Sequence, residues 1–247
     1  MKYAYCFLGV VPVRKQPISS SEQITQLIFG DFVEILSLKD GWAEIRNIND
    51  NYVGYVDSRN ILPVERKRKN KYFSTNMLSY IQMDKELIPI PFGAKLLGTN
   101  YTLGNHHFSL PHKHFSPFLP FSKENLREFV LPFLNTPYLW GGKNPMGIDC
   151  SGFTQLIYSC FSKDLPRDAY QQAELGETVP SIFAAQEGDL CFFGEKEKIT
   201  HVGIFLEKQY IIHASGRVRI DLVDNNGITD HSTGEYTHSL LKIKRFF

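Results

Sequence analysis

The first 65 residues alternate apolar and polar positions in short runs, which is typical of β-strands with one buried face. Such runs cover residues 30–36, 39–45 and 52–56, and glycines or Asp-Gly pairs separate them. Turn signals at intervals of about 8 to 12 residues are typical of small sandwiches and barrels. The pattern therefore predicts a small β-barrel over residues 1–65.

The next segment, residues 66–121, gives a weaker signal. Residues 65–71 form a run of charges, which is either a basic patch for nucleic acid or a solvated linker, and we interpret it as a linker. Residues 87–91 and 94–97 have the composition of strands. The segment is thus predicted to hold a linker and a candidate second, degenerate barrel.

Four histidines of this segment lie close together in the sequence: His106, His107, His112 and His114. They suggest a metal site, but such sites usually also draw on carboxylates or thiolates, and this Pro-rich segment offers neither nearby. We interpret the four residues as incidental loop histidines and expect no bound metal.

Helical spacing of apolar residues begins after residue 122. The apolar positions that recur every three or four residues are Leu126, Phe129, Val130 and Phe133. Ser122 is a suitable N-cap, and the proline at 137 marks a boundary, because the residue before a proline disfavours helical geometry. The last domain, residues 122–247, is predicted to open with a helix of about three turns that ends near residues 135–137.

Cys150 lies at the start of a second amphipathic run, with Asp149 before it and Ser151 after it. Free N–H groups and the dipole at a helix N-terminus favour a thiolate, so we expect a lowered pKa for Cys150 and a nucleophilic role. The alternative is a buried structural cysteine, which is the interpretation that we give to Cys160 and Cys191.

Two histidines in strand-like runs are suited to serve the thiolate as general base and as the group that orients the base. His201 and His213 lie in these runs, and residues 207–209 can close a hairpin. With that loop, His213 faces Gly203 and is the diagonal neighbour of His201 on the same face. A register shift of one residue would put the two imidazoles on opposite faces.

Motifs across residues 122–247 resemble the catalytic domain of the NlpC-type cell-wall peptidases, a papain-like cysteine peptidase family. The matching motifs are Trp-Gly-Gly at 140–142, Asp-Cys-Ser-Gly-Phe at 149–153, Gly-Asp-Leu at 188–190, His-Val-Gly-Ile at 201–204 and Ile-His-Ala-Ser at 212–215. Short motifs at 41–42, 54–57 and 60–62 likewise resemble a bacterial SH3-like domain. The resemblance implies an α+β protein in which one or two small SH3-like β-barrels precede a papain-like NlpC domain.

The resemblance also implies roles for single residues. Cys150 is the nucleophile, His201 the base and His213 the residue that orients the base, with Tyr138 as a donor to the oxyanion hole. The alternative for Tyr138 is a half-buried packing aromatic. The reaction implied in this way needs neither a metal nor an organic cofactor.

An SH3-like domain before this catalytic domain narrows the resemblance to γ-D-glutamyl-L-diamino-acid peptidases. These enzymes act on stem peptides with a free N-terminal L-Ala, and their SH3-like domain walls off the cleft. Asp168 matches the acid that binds the ammonium of that L-Ala, although Ala169 replaces a hydroxyl residue often found there. The alternative makes Asp168 a surface partner of Arg167 or Lys163. Further matches to substrate-contact positions are Asp149, Ser151, Trp140 and, in the SH3-like region, Tyr52.

The expected function is hydrolysis of the γ-D-glutamyl–diamino-acid bond of murein peptides, through an acyl-enzyme on Cys150, in the recycling of these peptides. A murein endopeptidase that acts on intact wall, with the SH3-like region as a wall-binding module, is the alternative enzyme. A non-catalytic binding protein on the same fold is the alternative from another class. It would require the loss of the cysteine or a histidine, and none is lost.

Composition and charge restrict the partners. The 247 residues are 43% hydrophobic and 21% charged, which fits an ordinary globular chain. With 27 basic and 26 acidic residues, the net charge is +1, so we expect neither nucleic acid nor a membrane surface as a partner. The apolar N-terminus is too short for a signal peptide and lacks a cleavage site. We therefore expect a cytoplasmic protein, with a secreted or periplasmic one as the alternative.

Overall fold

The computed structural model describes residues 1–110, 115–230 and 232–247, and strands dominate it. The described chain divides into two compact units. Unit 1 comprises Met1–Pro120, Trp140–Pro145 and Ser159–Asp164, and unit 2 comprises Phe121–Leu139, Met146–Tyr158 and Leu165–Phe247. Among the described residues, no helix is both long enough and apolar enough to cross a membrane.

Seven antiparallel strands form the first sheet of unit 1, in the order β3-β2-β6-β5-β4-β1-β7. They are β1 (Tyr3–Cys6), β2 (Val10–Arg14), β3 (Gln23–Ile28), β4 (Phe32–Lys39), β5 (Trp42–Asn47), β6 (Val53–Asp57) and β7 (Ile61–Val64). Every second residue of β5 is buried, as the alternating pattern requires. The strands predicted at 30–36, 39–45 and 52–56 are confirmed as β4, β5 and β6, with ends shifted by one to three residues.

The rest of unit 1 adds a four-stranded sheet in the order β10-β9-β13-β12 and a three-stranded sheet in the order β11-β8-β14. Their strands are β8 (Tyr72–Ser74), β9 (Leu78–Met83), β10 (Glu86–Pro91), β11 (Lys95–Leu96), β12 (Asn100–Leu103), β13 (His106–Ser109) and β14 (Phe115–Pro117). The two predicted strand segments, 87–91 and 94–97, coincide with β10 and β11. The division at residues 65 and 121, and a second SH3-like barrel, stay predictions.

Three α-helices follow: α1 (Lys123–Val130), α2 (Cys150–Cys160) and α3 (Ala169–Gln172). Ser122 caps α1 as predicted, since its hydroxyl accepts a hydrogen bond from the N–H of Asn125 at 3.1 Å. The α-helical part of this segment is shorter than predicted, because Pro132 lacks the N–H that would continue the helix. A 3-10 turn over Leu131–Phe133 replaces the third turn.

A six-stranded barrel forms the body of unit 2. The sheet order is β17-β23-β18-β19-β20-β21-β22, and pairing of β22 with β23 closes the ring. The strands of this sheet are β17 (Glu177–Thr178), β18 (Leu190–Glu195), β19 (Lys198–Phe205), β20 (Tyr210–Ser215), β21 (Arg217–Val223), β22 (Gly227–Thr229) and β23 (Tyr236–Arg245). Two shorter strands, β15 (Lys143–Asn144) and β16 (Gly147–Ile148), lie outside this sheet. A cluster of buried apolar side chains packs together in unit 2: Val179, Ile182, Cys191, Phe193, Phe205, Ile211, Val223, Ile228 and Ile243.

Candidate active site

Cys150 is the first residue of α2, and the residue before it caps the helix. Oδ1 of Asp149 accepts a hydrogen bond from the N–H of Gly152 at 2.7 Å, and the Asp149 carbonyl accepts one from Phe153 at 2.9 Å. A carboxylate is a good cap because it satisfies an N–H that has no partner within the helix. The predicted position of Cys150 at a helix N-terminus is therefore confirmed.

A buried arginine holds the residues on both sides of Cys150. Arg167, which is 2% exposed, donates to both carboxylate oxygens of Asp149 at 3.0 and 2.5 Å. The same guanidinium donates to Oγ of Ser151 at 2.9 Å. The alternative that makes Asp168 a surface partner of Arg167 is wrong, because Arg167 is buried, whereas the alternative with Lys163 stays open. A bidentate pair of this kind restricts both side chains, and so it stabilises the first turn of α2.

The pKa of the Cys150 thiol is raised to about 11, first by burial and then by the negative charge of Asp149. The backbone N–H of Val202, which donates to the sulfur, and the charge of Arg167 lower the pKa, but burial outweighs them. The prediction of a lowered pKa is therefore wrong: the helix N-terminus does not offset desolvation at a side chain that is only 7% exposed. Cys150 is a neutral thiol at pH 7.

His201 and His213 lie on the adjacent strands β19 and β20, and Nε2 of His201 is 2.8 Å from Nδ1 of His213. Gly203 pairs with His213, and the turn Glu207–Gln209 joins the strands, so the predicted hairpin and its register are confirmed. Gly203 leaves room for the histidine, because a Cβ at that position would lie 2.9 Å from Cβ of His213. Both imidazoles share one face of the sheet.

Burial makes His201 a neutral base. The pKa of His201 lies well below its ordinary value, mainly because of desolvation, and the neighbouring His213 and His238 lower it further. The ring of His238 covers that of His201, with ring centroids 4.4 Å apart. A general base must be unprotonated, and His201 meets this condition at pH 7.

The thiol lies beside the strand that carries this base, since the N–H of Val202 donates to the sulfur of Cys150. Nε2 of His201 is engaged by His213, so Nδ1 is the nitrogen left to take the proton of the thiol. The structure thus brings Cys150, His201 and His213 together in unit 2. Their catalytic roles stay predictions.

A carboxylate extends the series of hydrogen-bonded groups that His201 and His213 begin. Nε2 of His213 is 3.0 Å from Oδ2 of Asp221, a residue of β21 that is 2% exposed. Arg219 binds Asp221 through two contacts of 2.8 Å, and it also reaches Oδ2 of Asp230 at 2.8 Å. Both ring nitrogens of His213 therefore have polar partners.

Tyr138 is also near the thiol. Its backbone N–H donates to the carbonyl of Gly216 at 2.9 Å, and its side chain is 37% exposed. Burial raises the pKa of Tyr138 to about 12, and charge on Cys150 and Asp149 contributes. The hydroxyl is thus protonated at pH 7 and can donate a hydrogen bond, as an oxyanion-hole group must. That role stays a prediction.

Asp168 is the N-cap residue of α3, with φ −96° and ψ 143°. Its backbone N–H donates to Oε1 of Gln171 at 3.3 Å, as in a capping box. Because it follows Arg167 directly, Asp168 is one residue from the side chain that holds Asp149. The capping position explains an aspartate here without a substrate, so binding of the substrate ammonium stays a prediction.

Trp140 and Tyr52, the two other predicted substrate contacts, belong to unit 1. Nε1 of Trp140 donates to Oε1 of Glu22 at 2.9 Å, and the Trp140 carbonyl accepts from Nε2 of Gln23 at 3.2 Å. Tyr52 precedes β6, and its N–H donates to Oδ1 of Asp50 at 2.9 Å. These contacts are structural, and the binding roles stay predictions.

The sequence analysis missed three residues of the site: Arg167, Asp221 and His238. Asp221 had a usable signal. Gly216 separates β20 from β21, and a tight turn there places Arg219 opposite His213 and Asp221 diagonal to it, as observed. Arg167 and His238 have no comparable signal in the sequence.

The interpretation as loop histidines is wrong for His106 and His107, because both lie on β13, where Oδ2 of Asp84 is 2.7 Å from Nδ1 of His106. A carboxylate is therefore near these histidines, contrary to the sequence interpretation. His112 and His114 lie outside the described residues. Within the described ranges, no group of three or more His, Cys, Asp or Glu side chains could hold a metal ion.

Comparison with known families adds two matches. Residues 135–237 match the NlpC/P60 family, and residues 13–61 match the bacterial dipeptidyl-peptidase SH3 domain. Both resemblances drawn from the sequence are thereby confirmed. A crystal structure of an NlpC/P60 family protein from Bacillus cereus ATCC 10987 is similar, with a TM-score of 0.81 over 98% of this chain and 99% of that chain. At 19% identity, this similarity shows the fold alone.

Two curated relatives have a higher sequence identity over part of the chain. The γ-D-glutamyl-L-lysine dipeptidyl-peptidase of Bacillus subtilis (strain 168) is 41% identical over 85 residues, which is 33% of this chain and 28% of that protein. The murein DD-endopeptidase MepS/murein LD-carboxypeptidase of Escherichia coli (strain K12) is 40% identical over 79 residues, 32% of this chain and 42% of that protein. The chain thus spans less than half the length of these curated relatives.

Proposed function

We propose, from the matches of residues 135–237 to the NlpC/P60 family and of residues 13–61 to the bacterial dipeptidyl-peptidase SH3 domain, that this chain is a γ-D-glutamyl-L-diamino-acid peptidase. Its proposed substrates are murein stem peptides with a free N-terminal L-Ala. The observation that carries the proposal is the arrangement of Cys150, His201 and His213 on α2, β19 and β20. A thiol, a neutral base and a group behind that base are what acyl transfer through a thioester requires.

The reaction begins with the thiol of Cys150 and the imidazole of His201 both uncharged. The proton on the sulfur of Cys150 moves to Nδ1 of His201 as the sulfur attacks the amide carbonyl carbon. The negative charge that develops on the carbonyl oxygen is stabilised by the hydroxyl of Tyr138. His201 then gives its proton to the leaving amine of the diamino acid, and a thioester remains on Cys150. Water, activated by His201, hydrolyses the thioester.

Transfer of the proton during the attack suits the charges at this site. Burial raises the pKa of Cys150 and lowers that of His201, so the thiolate and imidazolium forms are both disfavoured before the reaction. After transfer, the positive charge on His201 is balanced by the negative charge on the oxygen of the tetrahedral intermediate, and the hydrogen bonds through His213 end on the carboxylate of Asp221.

Asp168 is the proposed determinant of the free N-terminus. Its carboxylate binds the ammonium of the substrate L-Ala, and an acylated or glycan-linked stem lacks that charge. The name of the Bacillus subtilis relative, γ-D-glutamyl-L-lysine dipeptidyl-peptidase, supports this specificity.

The second candidate function is a murein endopeptidase that acts on intact wall. The 40% identity to the Escherichia coli murein endopeptidase favours it. The two functions differ in whether the substrate must carry a free amine, so the substrate's N-terminus separates them.

The test is incubation of the protein with L-Ala-γ-D-Glu-L-Lys, its meso-diaminopimelate analogue and their N-acetylated forms, followed by mass spectrometry. The proposal expects release of the dipeptide L-Ala-γ-D-Glu from the free peptides and little product from the acetylated ones. Cys150→Ala is the negative control. Equal cleavage of free and acetylated peptides, together with release of fragments from purified sacculi, would replace the proposal with the murein-endopeptidase function.

A further inference from the structure

The two ring nitrogens of His213 have different partners. Nδ1 is 2.8 Å from Nε2 of His201, and Nε2 is 3.0 Å from Oδ2 of Asp221. A neutral imidazole has one N–H and one lone pair, so these contacts allow two arrangements of hydrogens along the line. Only one of them leaves a lone pair on Nδ1 of His201, where a base for Cys150 needs it.

Arg219 makes the Asp221 carboxylate an acceptor. The guanidinium places Nε 2.8 Å from Oδ2 and Nη2 2.8 Å from Oδ1, and the Asp221 side chain is 3% exposed. A guanidinium always carries its protons, so both carboxylate oxygens receive donors from Arg219. Oδ2 can then accept a hydrogen bond from His213 but has none to give.

The direction of every hydrogen bond in the line follows from this acceptor. His213 carries its hydrogen on Nε2 and donates it to Asp221, which leaves a lone pair on Nδ1. Nε2 of His201 donates to that lone pair, so Nδ1 of His201 keeps the other one. We propose that Asp221, held by Arg219, is a positioning residue that sets the tautomers of His213 and His201. The catalytic consequence of this proposal rests on the proposed function.

The competing explanation is that Asp221 and Arg219 form an ordinary structural ion pair. Unit 2 offers a matched control, because Asp189 pairs with Arg245 at 2.9 and 2.7 Å and its side chain is also 3% exposed. In the described part of the chain, neither Asp189 nor Arg245 forms a hydrogen bond or an ion pair with His201 or His213. A purely structural role would make the two aspartates equivalent in their effect on catalysis.

The experiment compares Asp221→Ala with Asp189→Ala in the full chain, using hydrolysis of the free tripeptide and thermal unfolding. Both variants lose a buried carboxylate that binds an arginine, so we expect both to lower Tm. For Asp221→Ala we expect kcat to fall about 10- to 150-fold with KM within twofold, as for loss of a hydrogen bond to a charged group. For Asp189→Ala we expect kcat to stay within about threefold of that of the native protein.

A spectroscopic measurement tests the tautomers directly. Nitrogen-15 NMR of histidine-labelled protein distinguishes ring nitrogens that carry a hydrogen from those that do not, and His213→Gln assigns the signals. We expect Nε2 of His213 to carry the hydrogen in the native protein and in Asp189→Ala, and to lose this preference in Asp221→Ala. This readout needs no activity, so it decides the proposal even if the native protein fails to hydrolyse the tripeptide.

A second variant covers the case in which Asp221→Ala does not fold. Asp221→Asn keeps one acceptor oxygen, and the donors from Arg219 and His213 both favour that oxygen at the position of Oδ2. We expect it to keep the tautomer of His213 and to retain more activity than Asp221→Ala. Unchanged tautomers in Asp221→Ala, hydrogen on Nδ1 of His213 in the native protein or in Asp221→Asn, or equal losses of kcat in Asp221→Ala and Asp189→Ala, would overturn the proposal.

Discussion

The start of α2 and the centre of β18 each hold a buried cysteine of unit 2, and the two differ in what surrounds the sulfur. Cys191, in β18, is fully buried among apolar side chains that include Phe193 and Ile243. Cys150 is nearly as buried, but the N–H of Val202 and the charge of Arg167 lie beside its sulfur. Burial raises the pKa of both thiols, and only at Cys150 do polar groups oppose it.

The comparison shows that burial does not identify the nucleophile. Every cysteine of the chain is buried and none forms a disulfide bond: Cys6, Cys150, Cys160 and Cys191. On the proposed function, what distinguishes Cys150 is transfer of its proton to the neutral His201, rather than a thiolate formed in advance. The predictions below test this difference in order of decreasing effect.

The largest expected difference in activity is between variants that lack the thiol of Cys150 and variants that lack the thiol of Cys191. Cys150→Ala removes the atom that forms the thioester, so we expect hydrolysis of the free tripeptide to fall at least about 1,000-fold, with Tm little changed. Cys191→Ala leaves a small cavity in the core, which costs about 1 kcal/mol of stability, and should keep kcat. Loss of activity in Cys191→Ala at a temperature where it is folded would contradict the comparison.

Replacement of His201 and of His213 should reduce activity by different amounts. We expect His201→Gln to be nearly inactive, because His201 is the proposed base that takes the proton of Cys150. His213→Gln should lose roughly 10- to 100-fold in kcat, because it orients the base without itself moving the proton. The measurement is kcat for the free tripeptide, and a larger loss in His213→Gln than in His201→Gln would reverse the assignment of base and orienting residue.

Asp168→Asn tests whether the carboxylate of Asp168, the N-cap of α3, selects substrates with a free N-terminus. Asparagine is as good an N-cap as aspartate, so α3 should be kept while the charge is removed. We expect kcat/KM for the free tripeptide to fall about 10- to 150-fold and to change little for the N-acetylated peptide. If the variant prefers the free amine by the native margin, Asp168 does not bind the ammonium.

Alkylation by iodoacetamide gives the smallest and most direct contrast between the thiols. Since the pKa of Cys150 is raised to about 11, its thiolate fraction and labelling rate should rise about tenfold per unit between pH 7 and 9. Cys191 should stay unlabelled in the folded protein. The measurement is the labelling rate of each cysteine by mass spectrometry, and a rate for Cys150 that is constant above pH 7 would indicate a thiolate formed in advance.

Local sequence determined where the main groups of the site stand. Asp149 before Cys150 is enough to begin a helix at the cysteine, because a carboxylate satisfies the free N–H groups of the first turn. A three-residue loop between two strands sets their register, so His213 had to face Gly203 and share a face with His201. These features depend on neighbours along the chain, which is why the sequence could predict them.

Only the tertiary structure decided the charge states and the burial of Asp221 against His213. The pKa of Cys150 depends on how much water the surrounding chain excludes, so the helix terminus alone gave the wrong direction. Asp221 lies in phase with Arg217 and Arg219 on a strand that alternates polar and apolar residues, which suggests an exposed position, yet it is buried against His213. Desolvation and ion pairing sum over groups that are far apart in the sequence, and a local pattern carries no information about such sums.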